Sequence, residues 1–442
     1  MQLTTAQVKP SKKSKHKNIR QLLKTATGCL LGATAAAQAD SKESFFSGWE
    51  TDIAILGYTE VDRVSAIEPV VQTQKSFDDD SVLGFKLVVD SLTGASPNGA
   101  SPSDQVQTFT RPSGNGSYQT PAGETPLDDS FLDTRVSFSS FYEHGLGRMD
   151  KMIWGGNVSK EYDFFSAGLS ATYVHDLNNR NTSLSLGVSG EYDFIEPVGG
   201  IPIPLTQMQA ASSPQTKGEG SDTRFLGEVL IGVTQIIDRK TLVVVNYGYS
   251  QSDGYHNDPY KVTSVVDDNS GSLVQGESLS GTYLYDSRPD QRIKHSLYSK
   301  VKRAFGEDSA DLSYRYMWDD WGITSHTFNL SYRKNYNAWY IEPRVRYYTQ
   351  GEADFYYHSV TESQSENIGS YLTSDYRLAE MWSSTIGLKV GFKTPDGNQN
   401  SIRLEYYHQD GEKNPSNAVG VQKNYDLFPT LDAFIVQYTY SF

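Results

Sequence analysis

The chain has 442 residues, 37% hydrophobic and 21% charged, with 39 Lys and Arg against 53 Asp and Glu for a formal charge of −14. That acidic balance argues against nucleic-acid binding, which needs basic patches to neutralise phosphates. One cysteine, Cys29, leaves no disulfide framework and no thiolate metal site.

Residues 1–39 read as a secretory signal peptide. Lys9, Lys12, Lys13, Lys15, Lys17, Arg20 and Lys24 form a basic start, with no acidic residue before Asp40. A short apolar stretch from Thr25 to Ala37 follows, and Ala37-Gln38-Ala39 has the small-x-small form of a cleavage site. The stretch is too short to span a membrane as a helix. Cys29 lies within it and lacks the preceding Leu of a lipoprotein site, so lipidation is not expected. Removing the seven basic residues leaves 32 against 53 acidic ones, a formal charge of −21 for residues 40–442.

The mean hydropathy of −0.52 and the lack of a long apolar run after residue 40 do not exclude a membrane barrel. In such a barrel only every second strand residue meets lipid. The rest of the chain carries that signature. In 182–193, Leu184, Leu186, Val188 and Tyr192 alternate with Ser183, Ser185, Ser189 and Glu191. In 311–318, Leu312, Tyr314, Tyr316 and Trp318 oppose Asp311, Ser313 and Arg315; in 325–333, Phe328, Leu330 and Tyr332 oppose Thr327, Asn329, Ser331 and Arg333. In 338–348, Trp339, Ile341, Val345 and Tyr347 oppose Tyr340, Glu342, Arg344 and Arg346, with Pro343 expected to break pairing locally. The 29 tyrosines and six tryptophans suit aromatic girdles at the two membrane interfaces.

Short polar connections at His144–Asp150, Asp176–Asn181, Asp238–Lys240, Phe305–Asp308, Asn335–Asn337 and Ala379–Met381 read as periplasmic turns. The stretches 92–130, 195–222, 253–290 and 350–366, rich in Gly, Ser, Pro, Asn and Asp, read as long external loops. Together these predict an all-β fold: one antiparallel outer-membrane barrel of 16–18 strands over residues 40–442. The two extra strands would come from Val64–Phe77 and Ala418–Leu427. The chain ends on Phe434-Ile435-Val436-Gln437-Tyr438-Thr439-Tyr440-Ser441-Phe442. Phe434, Val436, Tyr438, Tyr440 and Phe442 share one strand face. This ending resembles the terminal signal by which barrel-assembly machinery recognises its clients for insertion.

The stretches Lys86–Ala100, Leu132-Asp133-Thr134-Arg135, Ser159-Lys160-Glu161-Tyr162-Asp163 and Leu431–Gln437 resemble the bacterial family catalogued as domain of unknown function 3570. Thr93-Gly94-Ala95-Ser96-Pro97-Asn98-Gly99-Ala100 is the most specific of them. The resemblance implies an outer-membrane protein of Gram-negative bacteria, and it brings no activity, substrate or catalytic residue. It also implies a genomic setting with a small lipoprotein, a thioredoxin-like protein and an enzyme that attaches flavin to proteins, a hint of periplasmic redox or lipoprotein partners.

The candidate chemistry is a basic stripe on the polar strand faces: Arg292, Lys294, Lys300, Lys302, Arg315, Arg333, Arg344, Arg346 and Arg403. Rings of cationic side chains select anions in pores. Equally, Arg packed with Glu342 or Glu405 fills a polar interior. Thr93–Ala100 reads as a compact turn, or as a constriction loop folding back into the lumen. Asp78-Asp79-Asp80, Asp128-Asp129 and Asp267-Asp268 lack ordered calcium-loop spacing and read as solvated loop charge. No Gly-x-Ser-x-Gly elbow occurs, and His144, His175, His295, His326, His358 and His408 are scattered. His175 and Asp176 point to opposite strand faces and cannot pair directly. His326 shares a face with Phe328 and Leu330, an interfacial position. The expectation is therefore a non-enzymatic pore or solute conduit without cofactor or metal. The alternatives are a plugged scaffold, in which a lumenal 92–130 segment closes the pore, and a disfavoured outer-membrane hydrolase.

Overall fold

The computed structural model describes residues 48–111, 116–208, 220–274, 282–395 and 397–442. The expected signal peptide and its cleavage site lie outside them. The first barrel strands are β1 (Trp49–Glu60), β2 (Ser65–Ser76), β3 (Val82–Pro97), β6 (Leu127–Gly145), β7 (Asp150–Lys160) and β8 (Phe164–Leu177). Next come β9 (Thr182–Ile195), β10 (Asp222–Asp238), β11 (Thr241–Gly254), β14 (Gln291–Phe305) and β15 (Asp308–Asp319). The last are β16 (Thr324–Asn335), β17 (Trp339–Gln350), β19 (Met381–Lys393), β20 (Gln399–Gly411) and β21 (Leu431–Ser441). These 16 strands close in chain order into one antiparallel barrel, β21 returning to pair with β1.

Alternation decides which side chains go outward. Directly opposed residues share a sheet face. Leu184, Leu186 and Val188 of β9 thus stand beside Val233, Ile231 and Val229 of β10, and all are exposed. The same holds for Leu312 beside Leu330 and for Leu404 beside Val436. A continuous outward belt of this kind around a barrel with no free edge is stable against lipid and not against water. The fold is a transmembrane outer-membrane β-barrel. Aromatic rings flank the belt: Tyr336 stacks on Trp339 with centroids 4.2 Å apart at one end, and Trp318 stacks on His295 at 5.0 Å near the other.

All the long connections lie at one mouth, which also carries the short turns 61–64, 161–163 and 320–323. The other mouth carries only short turns: 77–81, 146–149, 178–181, 239–240, 306–307, 336–338 and 394–398. Asp308 stitches one of them, its carboxylate accepting from the Asn335 amide, Lys334 Nζ and Tyr332 OH, each at 2.9 Å. The opposite mouth carries the long connections 98–126, 196–221, 255–290, 351–380 and 412–430.

Several expected boundaries need correction. Ala379–Met381 is the return of a long loop into β19 and not a periplasmic turn; the loop begun at 351 runs to 380, well past 366. β3 continues to Pro97 and β6 starts at Leu127, so strand pairing consumes both ends of the stretch 92–130. Val64–Phe77 does supply a barrel strand, β2, whereas Ala418–Leu427 contains only a short 3-10 turn at Gly420–Asn424, which leaves the total at 16. Pro343 has the expected effect on one side only. Its ladder to β16 is interrupted between Arg344 and Ile341, while pairing to β19 continues through Leu388.

The long connections fold into a cap with its own hydrophobic clusters. Strand β12 (Val262–Val266), buried at every position, pairs with β13 (Tyr283–Tyr285) and, in parallel, with β18 (Val360–Thr361). β4 (Gln107–Thr110) pairs with β5 (Ser117–Thr120) beside it. One cluster joins Trp321, Ile323, Phe355, Leu378 and Phe428; a second joins Phe109, Val262, Val266 and Tyr283; a third joins Val265, Leu284, Val360 and Leu372. These segments leave the barrel at points spread around its rim, so their convergence spans the mouth.

Candidate functional site

The register of the barrel sets the lumen in rows. From β14 to β19 one row reads Lys300, Ser313, Asn329, Arg346 and Thr385. The next row toward the cap reads Tyr298, Arg315, Thr327, Tyr348 and Ser383. Toward the short-turn mouth lies Lys302, Asp311, Ser331, Arg344 and Gly387, with Glu405 following on β20. Lys300, Arg315, Arg344 and Arg346 line a cavity of about 560 Å³, together with Asn246, Ser296, Tyr298, Thr327, Asn329 and Glu342.

Most of the basic stripe is neutralised locally. Arg292 meets Asp319 at 2.5 Å and lies over the Trp321 ring at 4.3 Å. Lys300 and Lys302 share Asp311 at 3.0 and 3.6 Å, Arg333 meets Glu342 at 2.6 Å, and Arg344 and Arg403 share Glu405 at 3.3 and 4.0 Å. Lys294, Arg315 and Arg346 make no ion pair among the described residues. Lys389, absent from the stripe as read, shares the lumenal face and lies 5.9 Å from the Tyr340 ring. Acidic positions flank these basic strands: Glu60 and Glu68 are lumenal on β1 and β2 to one side, Glu191 and Glu228 on β9 and β10 to the other. Asp90 and Asp193, also lumenal, are matched by Arg135 at 2.5 Å and Arg224 at 2.7 Å.

An ionic cluster, buried except at the half-exposed Arg377, locks the 255–290 and 351–380 segments together in the cap. Arg288 meets Asp286 at 2.7 Å and Asp375 at 2.9 Å; Arg377 meets Asp375 and Asp258, each at 2.5 Å. Lys261 donates to the Pro97 carbonyl and sits 6.0 Å from the Tyr376 ring. Burial pushes the Asp286 carboxyl up to about 6, overriding Arg288, and its Oδ1 has no hydrogen-bond partner. Asp375 is also buried, yet Arg377 and Arg288 together hold it well below the usual carboxylate range. Asp286–Arg288 and Asp375–Arg377 are local pairs, but the bridges that join them, Arg288–Asp375 and Arg377–Asp258, span 87 and 119 residues, and no spacing signalled those.

Thr93–Ala100 is the root of the cap. Its first part ends β3 with a bulge between Gly94 and Ser96; its second part turns in under β12, where the Asn98 carbonyl accepts from the Val262 amide at 2.9 Å. Gly99 has φ +93°, and a Cβ there would lie 2.7 Å from the Val262 carbonyl, so only glycine fits. The acidic runs act as turn formers: Asp79 accepts from the Ser81 amide and hydroxyl, Asp267 from the Asn269 and Ser270 amides, and Asp268 from Ser363 Oγ. No group of three metal-ligating side chains occurs among the described residues.

The histidines sit mostly in the outer girdle. His175 pairs with Asp150 on the neighbouring strand at 2.7 Å, not with adjacent Asp176, and Tyr173 donates to the same carboxylate. His408 repeats this with Asp432 at 2.7 Å and Tyr406. His326 Nδ1 bonds Tyr314 OH at 2.8 Å on the lipid face. Phe434, Val436 and Tyr438 of β21 face lipid beside Tyr406, Leu404 and Ile402, and the Phe442 backbone exchanges hydrogen bonds with Thr51.

Among solved structures the chain is similar to the siderophore receptor PirA from Acinetobacter baumannii, at 10% identity and a TM-score of 0.39, covering 82% of this chain and 53% of that one. It thus spans about half the length of that receptor. It is similar to the CymD monoaromatic hydrocarbon channel (8% identity, TM-score 0.39, 89% and 88% coverage). It is also similar to OpdK from Pseudomonas aeruginosa (9% identity, TM-score 0.38, 89% and 98% coverage). At these scores the likeness is one of barrel architecture alone. No curated protein matches the sequence. The family model described as protein of unknown function (DUF3570) matches residues 20–442, and the chain belongs to that family.

Proposed function

We propose that the protein is an outer-membrane solute conduit with a preference for small anions, whose outer mouth the cap holds closed at rest. The observation that carries this reading is the 560 Å³ cavity lined by Lys300, Arg315, Arg344 and Arg346 inside a closed barrel. Basic strands flanked by acidic positions set up a field within the lumen that orders and selects charged solutes. Purified residues 40–442 in a planar bilayer, recorded under salt gradients, test it. Discrete anion-preferring steps, weakened by Arg344→Glu or Arg346→Glu, are expected, and a folded barrel that never conducts would refute the reading. Entry into the membrane on this reading follows recognition of Phe434 to Phe442 by barrel-assembly machinery after cleavage near Ala39-Asp40.

The interlocked cap favours a second reading, a closed barrel that scaffolds a small lipoprotein or periplasmic redox partners. Silence in the bilayer together with co-purification of such partners would select it. A hydrolase is the least supported reading, since the His175–Asp150 and His408–Asp432 pairs face lipid with no nucleophile aligned on them.

A further inference from the structure

Two lumenal rows form a band in which register places basic groups and excludes acids. Across β14 to β21 the Lys300–Arg346 row and the Arg315 row carry hydroxyls, amides and phenols, ending on Tyr407 and Gln409 of β20 and Ala433 and Leu431 of β21. Asp311, Glu342 and Glu405 all fall on rows nearer the short-turn mouth, where they engage Lys302, Arg333, Arg344 and Arg403. Lys300 reaches down to Asp311, while Arg315 and Arg346 stay unmatched. Both guanidinia are exposed to the lumen and lack a counter-ion, so an entering ligand can supply the anion. Arg315 and Arg346 lie two strands and one row apart, roughly 12 Å between backbones, and both line the one cavity, whose acids Asp311 and Glu342 lie on the rows below. Thr327 and Asn329 lie between the two arginines, and Tyr298 flanks Arg315.

We propose that this band is a binding site for an oxyanion borne on a polyhydroxylated carbon skeleton of sugar size, with Arg315 and Arg346 holding the anionic group and Thr327, Asn329 and Tyr298 the hydroxyls. Guanidinium forks match carboxylate and phosphate geometry, and the surrounding donors and acceptors match hydroxyl groups. The volume of about 560 Å³ lies within the range of small-molecule sites. The proposal rests on the conduit reading and names its cargo class.

Titration calorimetry on the detergent-solubilised chain, with folding checked by heat-modifiable gel migration, tests it. The probes are gluconate and glucose 6-phosphate, with glucose and inorganic phosphate as controls. Saturable binding of one or both sugar acids is expected, gluconate reporting a carboxylate site and glucose 6-phosphate a phosphate site. Glucose should be silent and phosphate at least tenfold weaker. Arg315→Gln and Arg346→Gln should each weaken binding roughly tenfold or more, and Arg315→Lys and Arg346→Lys should retain part of it. Glucose binding as well as the acids, inorganic phosphate binding as well as glucose 6-phosphate, or folded Gln variants of unchanged affinity would each overturn the site. Binding needs no bilayer: conductance without binding sinks the site and spares the conduit, and binding without conductance does the reverse.

Discussion

Asp375→Asn is the sharpest test of the cap as a cooperative lock. Asp375 is fully buried and answers both Arg288 at 2.9 Å and Arg377 at 2.5 Å. It also caps the turn Tyr376–Leu378, Oδ1 accepting from the Arg377 amide at 3.1 Å. Asparagine keeps that acceptor and nearly the same volume, while its Nδ2 replaces the Oδ2 that accepts from Arg288 and Arg377, so the charge and those bonds are lost together. Arg288, only 10% exposed, keeps Asp286 and Arg377 keeps Asp258, but each loses its shared central partner. Removing one partner from a buried ionic group costs roughly 3–5 kcal/mol. If the cap opens as a unit, β12 amides will exchange with deuterium roughly two to three orders of magnitude faster, by 1.4 kcal/mol per tenfold. The Val262 and Val265 amides report it well, since their acceptors are Asn98 of another cap segment and Thr282 beside β13. Amides of β15 and β16 should exchange as before, because the barrel ladder does not pass through the lock. A β12 rate within tenfold of the parent protein would refute the lock. Acceleration shared by barrel and cap alike would refute their independence.

Three further outcomes follow from the same geometry. Phe428→Ala empties the centre of the Trp321–Phe355–Leu378 cluster, should cost roughly 3–5 kcal/mol of cap stability, and should open 412–430 to limited proteolysis while β17 to β20 stay intact. Val436→Arg puts a charge on the lipid face of β21, 49% exposed in the belt, at a cost of roughly 2–4 kcal/mol; urea unfolding of the reconstituted barrel should register it, and no shift would undermine the assigned face. The pH profile of the cap should have an unusual sign. Asp286 holds its proton more tightly folded than unfolded, so it makes the cap more stable as pH falls from about 7 toward 5, through its value of about 6. Asp375 acts oppositely: its contribution is full above the unfolded carboxylate value of about 4 and is lost only as pH falls below it. Exchange rates of β12, corrected for intrinsic chemistry, should therefore slow toward pH 5, and Asp286→Asn should flatten that slope.

What the sequence by itself determined was everything governed by period and by local turn chemistry. Alternation in 182–193, 311–318 and 325–333 assigned lipid and lumen faces that β9, β15 and β16 display. The same parity placed Arg315, Arg344 and Arg346 on the polar face that lines the cavity. Glycine and aspartate at 305–308 and asparagine at 335–337 marked turns because their geometry needs only neighbours in the chain. The tertiary structure alone decided the rest. Asp311 neutralises Lys300 and Lys302 through a register between strands, and register is a relation between distant segments that no single strand encodes. The cap's charges had no role in the sequence reading: Asp258, Asp286 and Arg288 fell in a stretch read as an external loop and Asp375 and Arg377 in none, because loop composition does not reveal that several loops will bury one another. Only the circular closure of the barrel brings their rims within reach. That same closure separates the matched cations from the two arginines left free to meet a ligand.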